Sequence, residues 1–247
     1  MKRIKFFAVA AMLAISSGAY AQFTNTSSSS SSTSVNTDGW STIWVEYNPV
    51  KIKFDAKGVD DESATGLSFG YSQAFSITQG TPLFLELGLG VQYTFNTNDD
   101  DIYIYEYDDD GDIVDYEKVD DGELKTTLFS AKIPVNLIYA FQIPNSSVRI
   151  MPFVGANLRY NLSGKRKYSF DGDEDWDDDD LEFDVFDKKD MGSSKATWNR
   201  FQLGWNIGVK ARFGENFLVG LSYGNDFSEL AKKTKIQTTS ITLGYTF

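Results

Sequence analysis

The stretch RIMPFVGANLRYNL, residues 149–162, alternates between two kinds of side chain with a period of two residues. Its even-numbered positions, from Ile150 to Leu162, are all apolar, whereas most of its odd-numbered positions are polar or glycine. Successive side chains of a β-strand point to opposite faces of the sheet, so the pattern predicts a strand with one apolar and one polar face.

The same alternation recurs along the chain and predicts seven further strands. It is clear in 83–95 and 198–213 and weaker in 66–77, 127–142, 217–227 and 236–247. In the first strand, 40–54, the apolar parity changes near Pro49, from Ile43, Val45 and Tyr47 to Val50, Ile52 and Phe54, which predicts a β-bulge. Pro134 and Pro152 lie inside predicted strands and each removes a ladder hydrogen bond, so we expect bulges or weakened pairing there.

The connections between these strands alternate between long and short. In an up-and-down meander, alternate connections share one end, so one end carries tight turns and the other carries every long loop, as in outer-membrane barrels. We therefore predict an all-β fold, an eight-stranded antiparallel up-and-down transmembrane β-barrel over 40–247, with long external loops and both termini on the periplasmic side. The predicted connections are 55–65, 78–82, 96–125, 143–147, 164–197, 214–216 and 228–235.

Side-chain size indicates which face points inward, because alternation alone would be the same in a soluble barrel or a sandwich. The polar face is rich in Gly, Ser, Asn and Gln, which suit the narrow interior of an eight-stranded barrel. The Leu, Phe, Tyr and Trp side chains of the other face are too bulky for that interior and are expected to face lipid.

The inward face then carries several charged side chains. In a narrow lumen they must be paired, so we expect a network of salt bridges and hydrogen bonds that plugs the barrel, with a narrow selective channel as the alternative. The predicted lumen residues are Glu46, Glu86, Lys132, Arg149, Arg159, Arg200, Lys210 and Arg212.

The N-terminal segment is predicted to be a signal peptide rather than part of the fold. Residues 1–21 combine a basic start, ten apolar residues from Phe6 to Ile15, and the small-x-small sequence Ala19-Tyr20-Ala21. Ten apolar residues are too few to span a bilayer as a helix. Residues 22–39, rich in Ser and Thr, are predicted to be a flexible linker after cleavage near Ala21.

Composition excludes several classes of chemistry. The 247 residues contain neither His nor Cys, so the chain cannot form a Ser-His or Cys-His dyad, a disulfide, or a metal site built on imidazole or thiolate. The familiar outer-membrane hydrolases use a His, and we therefore predict no enzyme activity. The net charge of −12 argues against a nucleic-acid partner.

The negative charge is concentrated in two predicted loops. Residues 96–125 hold 13 acidic and 2 basic groups, and 164–197 hold 12 acidic and 6 basic groups, which leaves a mildly basic scaffold. We interpret both loops as solvated acidic surface and expect no cofactor. Weak binding of a divalent cation such as Ca²⁺ is the alternative, since part of the first loop, in a predicted hairpin over 102–119, approaches EF-hand spacing. The candidate ligands are Glu106, Asp108, Asp110, Asp112, Glu117, Asp171, Asp173 and Asp175.

Three segments resemble the PorT-like outer-membrane β-barrel domain family of gram-negative bacteria: AKIPVNL at 131–137, MPFVGA at 151–156 and SITLGYTF at 240–247. The resemblance covers about residues 40–247 and implies an eight-stranded barrel in the outer membrane. Tyr245 and Phe247 resemble the aromatic-x-aromatic carboxyl end that the barrel assembly machinery recognises, with an ordinary last strand as the alternative.

These observations predict a non-enzymatic barrel with a plugged lumen, whose partners are outer-membrane lipid and, during biogenesis, the assembly machinery. Its acidic loops are expected to serve surface interaction with an unidentified external partner, or envelope structure. The alternatives are a narrow channel and, suggested by the family resemblance alone, an accessory component of a protein secretion machine.

Overall fold

The computed structural model describes residues 38–54, 61–78, 80–98, 102–107, 113–119, 122–170, 181–187 and 198–247; in 102–107 and 113–119 the description is of the backbone. The predicted signal peptide and nearly all of the predicted linker lie outside this part of the chain. Within the described residues there is no helix long and apolar enough to cross a membrane.

Twelve strands are present in the described residues, and eight of them form one closed antiparallel barrel. In barrel order these are β1 (Trp40–Phe54), β2 (Glu62–Ser76), β3 (Leu83–Asn98), β6 (Gly122–Tyr139), β8 (Val148–Phe170), β10 (Phe201–Phe213), β11 (Phe217–Asp226) and β12 (Thr234–Thr246). Each pairs with the next, and β12 pairs with β1 to close the ring. The predicted fold class is confirmed.

The remaining four strands are short. Strands β4 (Ile102–Tyr107) and β5 (Ile113–Val119) pair with each other, which confirms the predicted hairpin. Strands β7 (Phe141–Gln142) and β9 (Leu181–Asp184) both pair with β8. We call the end with the short connections 77–82, 140–147 and 214–216 the turn end, and the opposite end the loop end.

Five barrel strands, β2, β3, β6, β8 and β12, continue further at the loop end than the alternation predicted. Strand β8 has 23 residues, whereas about ten suffice to cross a bilayer. Its last residues pair with β6 from Gly122 and with β9, so parts of the predicted loops 96–125 and 164–197 are strand. The alternation ends earlier than the pairing because an antiparallel sheet continues in water without an apolar face.

The predicted bulge near Pro49 is wrong. Strand β1 keeps one register with β2 from Trp40↔Ala74 to Ile52↔Glu62. Val50 and Ile52 therefore point inward, and the change of parity means that the lumen itself becomes apolar at the loop end. A register shift does occur on β8, opposite Phe129 and Ser130.

The two prolines behave differently from each other. Opposite Pro134 the pairing of β6 with β3 is interrupted between Leu87↔Val135 and Gly90↔Lys132 and resumes in the same register, as expected for a missing donor. Strand β8 pairs with β10 through Pro152 without interruption.

The burial of side chains decides which face is inside. Along β2, Leu67 and Phe69 are 53% and 57% exposed, whereas their neighbour Ser68 is 5% exposed. The same contrast of exposed apolar and buried polar positions holds around the ring. Because a soluble protein rarely exposes a continuous apolar belt of this kind, the outward face is a lipid-facing band.

Candidate functional site in the barrel lumen

Three ion pairs cross the lumen. Lys132 Nζ lies 2.5 Å from Glu46 Oε2, and Lys210 Nζ lies 2.5 Å from Glu86 Oε1. Arg159 forms the third pair with Asp226. None of the three pairs joins neighbouring strands: they connect β6 with β1, β10 with β3, and β8 with β11. The three positive and three negative charges balance, as burial of charge requires.

Glu86 is the most heavily bonded of these carboxylates. Its side chain is 2% exposed, and Asn136 Nδ2 donates to the same oxygen as Lys210, at 2.8 Å. Asn206 Nδ2 in turn donates to Asn136 Oδ1 at 3.0 Å, and Ser72 Oγ donates to Glu86 Oε2 at 3.4 Å. The carboxylate is thus held on several sides by buried donors.

Hydroxyl and amide groups extend the network toward the loop end. Asn48 joins β1 to two other strands, because its Nδ2 donates to Ser68 Oγ at 2.7 Å and its Oδ1 accepts from Ser240 Oγ at 2.6 Å. Ser130 Oγ donates to Asn161 Oδ1 at 2.7 Å. These groups are buried, so each unmade bond would carry the full cost of desolvation.

Apolar side chains cover the polar network at the turn end. The turn-end cap is a buried cluster in which the rings of Trp40 and Phe84 are 4.5 Å apart between centroids. Its members, all on inward positions, are Trp40, Ala74, Phe84, Ile138, Ala140, Met151, Phe153 and Leu218.

A second apolar cluster, the loop-end cap, covers the network at the other end. It consists of Val50, Ile52, Leu230 and Ile236, with Phe54, Ala64 and Trp198 packed against it. Leu230 belongs to the connection before β12 and not to a barrel strand, so this connection folds inward over the lumen.

Little space remains between the two caps. Two cavities of about 30 and 20 Å³ are lined mostly by polar side chains, and both are lined by Lys132, Asn157, Asn206, Ser222 and Ser240. A water molecule needs about 10–15 Å³, so the two cavities hold a few waters at most.

Three predicted lumen residues lie outside the ion-pair network. Arg149 and Arg212 are Cα partners at the turn end; Arg149 Nε donates to Gln142 Oε1 at 3.4 Å, and the Arg212 guanidinium lies 5.5 Å from the Trp40 ring centroid. Arg200 lies at the loop end, where its Nη1 donates to the carbonyls of residues 161 and 162 at 3.1 Å each. It caps backbone groups rather than a carboxylate.

Asp226, Asn136 and Asn206 belong to the network but were not among the predicted residues. The sequence does contain a signal for Asp226, because this residue continues the inward parity of Leu218 and Ser222 along β11. Asn136 and Asn206 also hold inward positions, but parity alone does not separate an amide that bonds a buried charge from one that only fills the lumen.

The predicted cation ligands are not tested by this geometry. Asp108, Asp110, Asp112, Asp171, Asp173 and Asp175 lie outside the described residues, and Glu106 and Glu117 are described by their backbone on β4 and β5. Within the described part of the chain, no group of three or more Asp or Glu side chains could hold a metal ion.

The predicted assembly signal lies at the seam of the barrel. Tyr245 is the Cα partner of Ile43 and of Phe217, and its side chain is outward and 58% exposed. Phe247 exchanges two backbone hydrogen bonds of 3.0 Å with Ser41 and is 56% exposed. Both rings are thus available on the outer surface.

Comparison with known proteins identifies the kind of barrel. A family model described as outer membrane protein beta-barrel domain matches residues 7–247. This match is to the general domain and does not single out the PorT-like group. No curated protein sequence matches the chain.

Solved structures of small outer-membrane barrels are similar to the chain at low identity. Ail of Yersinia pestis, solved in complex with the heparin analogue sucrose octasulfate, is 18% identical, with a TM-score of 0.40 over 85% of this chain and 99% of that one. Neisserial surface protein A is 17% identical, with a TM-score of 0.37 over 83% and 95%. The N-terminal barrel domain of Pseudomonas aeruginosa OprF is 13% identical, with a TM-score of 0.33 over 83% and 97%. Values this low carry no argument about ligands.

Proposed function

The chain belongs to the outer membrane protein beta-barrel domain family of the gram-negative outer membrane, and on that premise we propose that it is a non-conducting, non-enzymatic scaffold. In this proposal the barrel anchors the acidic segments at its loop end outside the cell, where they serve surface interaction or envelope structure. The predicted signal peptide delivers the chain through the periplasm, and the turn end with both termini stays on the periplasmic side.

The filled lumen is the observation that carries this proposal. A conducting pore needs a continuous water column, whereas here apolar caps lie at both ends of a polar belt whose charges are paired. A hydrated ion entering from either end would lose its water against the apolar side chains of a cap, at a high cost in free energy.

Recordings in planar bilayers test the closed lumen. The refolded full-length mature chain is expected to give no conductance steps above those of a protein-free membrane. A matched variant with a thinned turn-end cap, Phe84→Ala with Met151→Ala, serves as a positive control because it removes two fully buried lumen side chains. Regular steps with the unaltered chain would instead establish the narrow channel.

Protease treatment of intact cells tests the orientation. Cleavage within 96–125 and 164–197, with the barrel strands protected, is expected if the loop end is external. Cleavage that requires opening of the outer membrane would reverse the proposed orientation.

The PorT-like resemblance keeps a role in a secretion machine as a separate proposal. Its support is the three sequence segments named above, not the geometry of the lumen. Chemical cross-linking of intact membranes followed by co-purification distinguishes the two: a stoichiometric partner complex favours the secretion role, and recovery of the free barrel favours the scaffold.

A further inference from the structure

Five lysines lie at the loop end where β12 meets β1. Lys51 and Lys53 are outward residues of β1, Lys235 is an outward residue of β12, and Lys232 and Lys233 belong to the connection just before β12. All five side chains are exposed. We call this group the lysine rim.

The lysine rim begins just beyond the lipid-facing band. Along β1 the outward side chains are Ile43, Val45 and Tyr47, followed by Pro49 and then by Lys51. Four residues at about 3.3 Å each, on a strand tilted by about 40°, place Lys51 about 10 Å beyond Tyr47 along the barrel axis. This is the level of the headgroups, and a lysine chain can reach several ångströms along the surface to meet a phosphate.

A polar contact on the neighbouring strands marks the same level. Tyr223 of β11 accepts a hydrogen bond from Gln237 Nε2 of β12. Gln237 is the Cα partner of Lys51, so the tyrosine, the amide and the rim lie in one zone around the barrel. Tyrosines with a satisfied hydroxyl are typical of the boundary between hydrocarbon and headgroups.

The charge of the rim is largely unmatched within the described residues. Lys51 has a carboxylate partner, Asp61, at 3.1 Å, and this hydrogen bond lowers the pKa of Asp61. Lys53, Lys232, Lys233 and Lys235 form no ion pair with any residue that the structure describes, and Lys53 interacts with Asp61 only at longer range, where its charge also helps to lower the pKa of that carboxyl.

Lys53 and Lys235 are moreover direct Cα partners across the β1–β12 ladder. Like charges directly opposite each other destabilise an antiparallel pair. On the far side of the loop end, by contrast, Lys165 is paired with Glu182. Lys125 and Lys167 are also Cα partners on that side, but Glu182 and Asp184 of β9 lie opposite Lys167 and Lys165. Lysines without a facing carboxylate on a paired strand are therefore concentrated on the β12–β1 side.

We propose that the lysine rim binds phosphate groups of lipid headgroups in the leaflet at the loop end. A phosphate between Lys53 and Lys235 offsets their mutual repulsion, and lysine ammonium groups suit phosphate as mobile point charges. The binding site is shallow and electrostatic, so it recognises a negatively charged phosphorylated headgroup rather than one acyl chain.

Titration of the detergent-solubilised full-length mature chain with dioleoyl phosphatidic acid, followed by native mass spectrometry, tests the proposal. Each lysine near an anionic surface contributes about fivefold to binding, so Lys53→Gln with Lys235→Gln is expected to weaken retention about 25-fold. The matched control, Lys125→Gln with Lys165→Gln, removes two lysines from the far side and is expected to change retention less than twofold.

Equal retention by the rim variant and the unaltered chain, or equal loss in the control variant, would overturn the proposal. So would equal retention of phosphatidylcholine, whose headgroup carries no net charge. If the rim variant fails to fold, as judged by its heat-modifiable mobility, the salt dependence of phosphatidic acid binding to the unaltered chain tests the proposal instead. Raising NaCl from 0.1 to 0.5 M is then expected to weaken phosphatidic acid binding at least fivefold, and unchanged binding would refute an electrostatic site.

Discussion

Replacing Lys210 by Met is expected to destabilise the barrel by about 3 kcal/mol. Met keeps most of the volume of the lysine side chain, so the change removes the charge without opening a large cavity. Glu86, 2% exposed, then loses its cation while remaining buried. Removal of one member of a buried ion pair costs about 3–5 kcal/mol. We expect the lower end of this range, because Asn136 still donates to Glu86 and water can enter the adjoining cavity.

A double-mutant cycle separates the uncompensated charge from other effects of the substitution. The double variant Glu86→Gln with Lys210→Met has no buried charge left at this site, and a neutral amide can keep part of the hydrogen bonding. We expect it to be more stable than Lys210→Met alone by about 1–2 kcal/mol. Urea unfolding in lipid vesicles measures both values, with tryptophan fluorescence and heat-modifiable mobility as independent probes of the same transition.

Lys165→Met is the matched control, because Lys165 also pairs with a glutamate but both side chains are about half exposed. Its expected cost is below about 1 kcal/mol. Equal costs for Lys210→Met and Lys165→Met, or a double variant that is as unstable as the sum of its two single variants, would refute the reasoning that burial makes the lumen pair important.

Three further predictions concern other parts of the barrel. Gly90→Ala is expected to cost about 1–3 kcal/mol in urea unfolding, because a Cβ there would lie 2.6 Å from the Trp44 ring, and Trp44→Leu is expected to recover part of that loss. Deletion of Phe247 is expected to slow assembly in cells while refolding in detergent stays nearly normal; equal slowing in both would assign the residue to stability alone. Lys51→Met is expected to raise the pKa of Asp61 toward its ordinary value, since the Lys51 hydrogen bond is the largest cause of its lowering, and an unchanged NMR titration of Asp61 would contradict this.

Much of the barrel could be predicted from the sequence because lipid and a narrow lumen impose opposite demands on alternate residues. The outward exposure of Leu67 and Phe69, against the burial of Ser68, follows directly from a period of two. The prediction failed at Val50 and Ile52, because alternation shows which side chains point inward only where the lumen and the outside differ in polarity. At the loop end the inward face of β1 is apolar and its outward face carries lysines. Val50 and Ile52 point inward there because they pack against Leu230.

The partners within the lumen could not be predicted. Parity shows that Glu86 and Lys210 both point inward, but which charges meet depends on the stagger of strands around the closed ring. That stagger is set by register, which a single sequence specifies weakly when several inward positions are small. Asp226 shows the consequence: parity along β11 places it inward, but its pairing with Arg159 of β8 depends on the stagger of the strands.

The cross-lumen pairs also bear on how the chain reaches its native state. Their members are separated by 86, 124 and 67 residues along the sequence, so none can form from a local hairpin. Contacts between residues so far apart in sequence form late, and they reduce the folding rate. A chain whose last strand has not yet closed onto β1 would hold these charges in a partly open lumen, and the favourable pairing would arrive together with closure. The network therefore makes ring closure cooperative, and an incompletely closed intermediate is left without its electrostatic stabilisation.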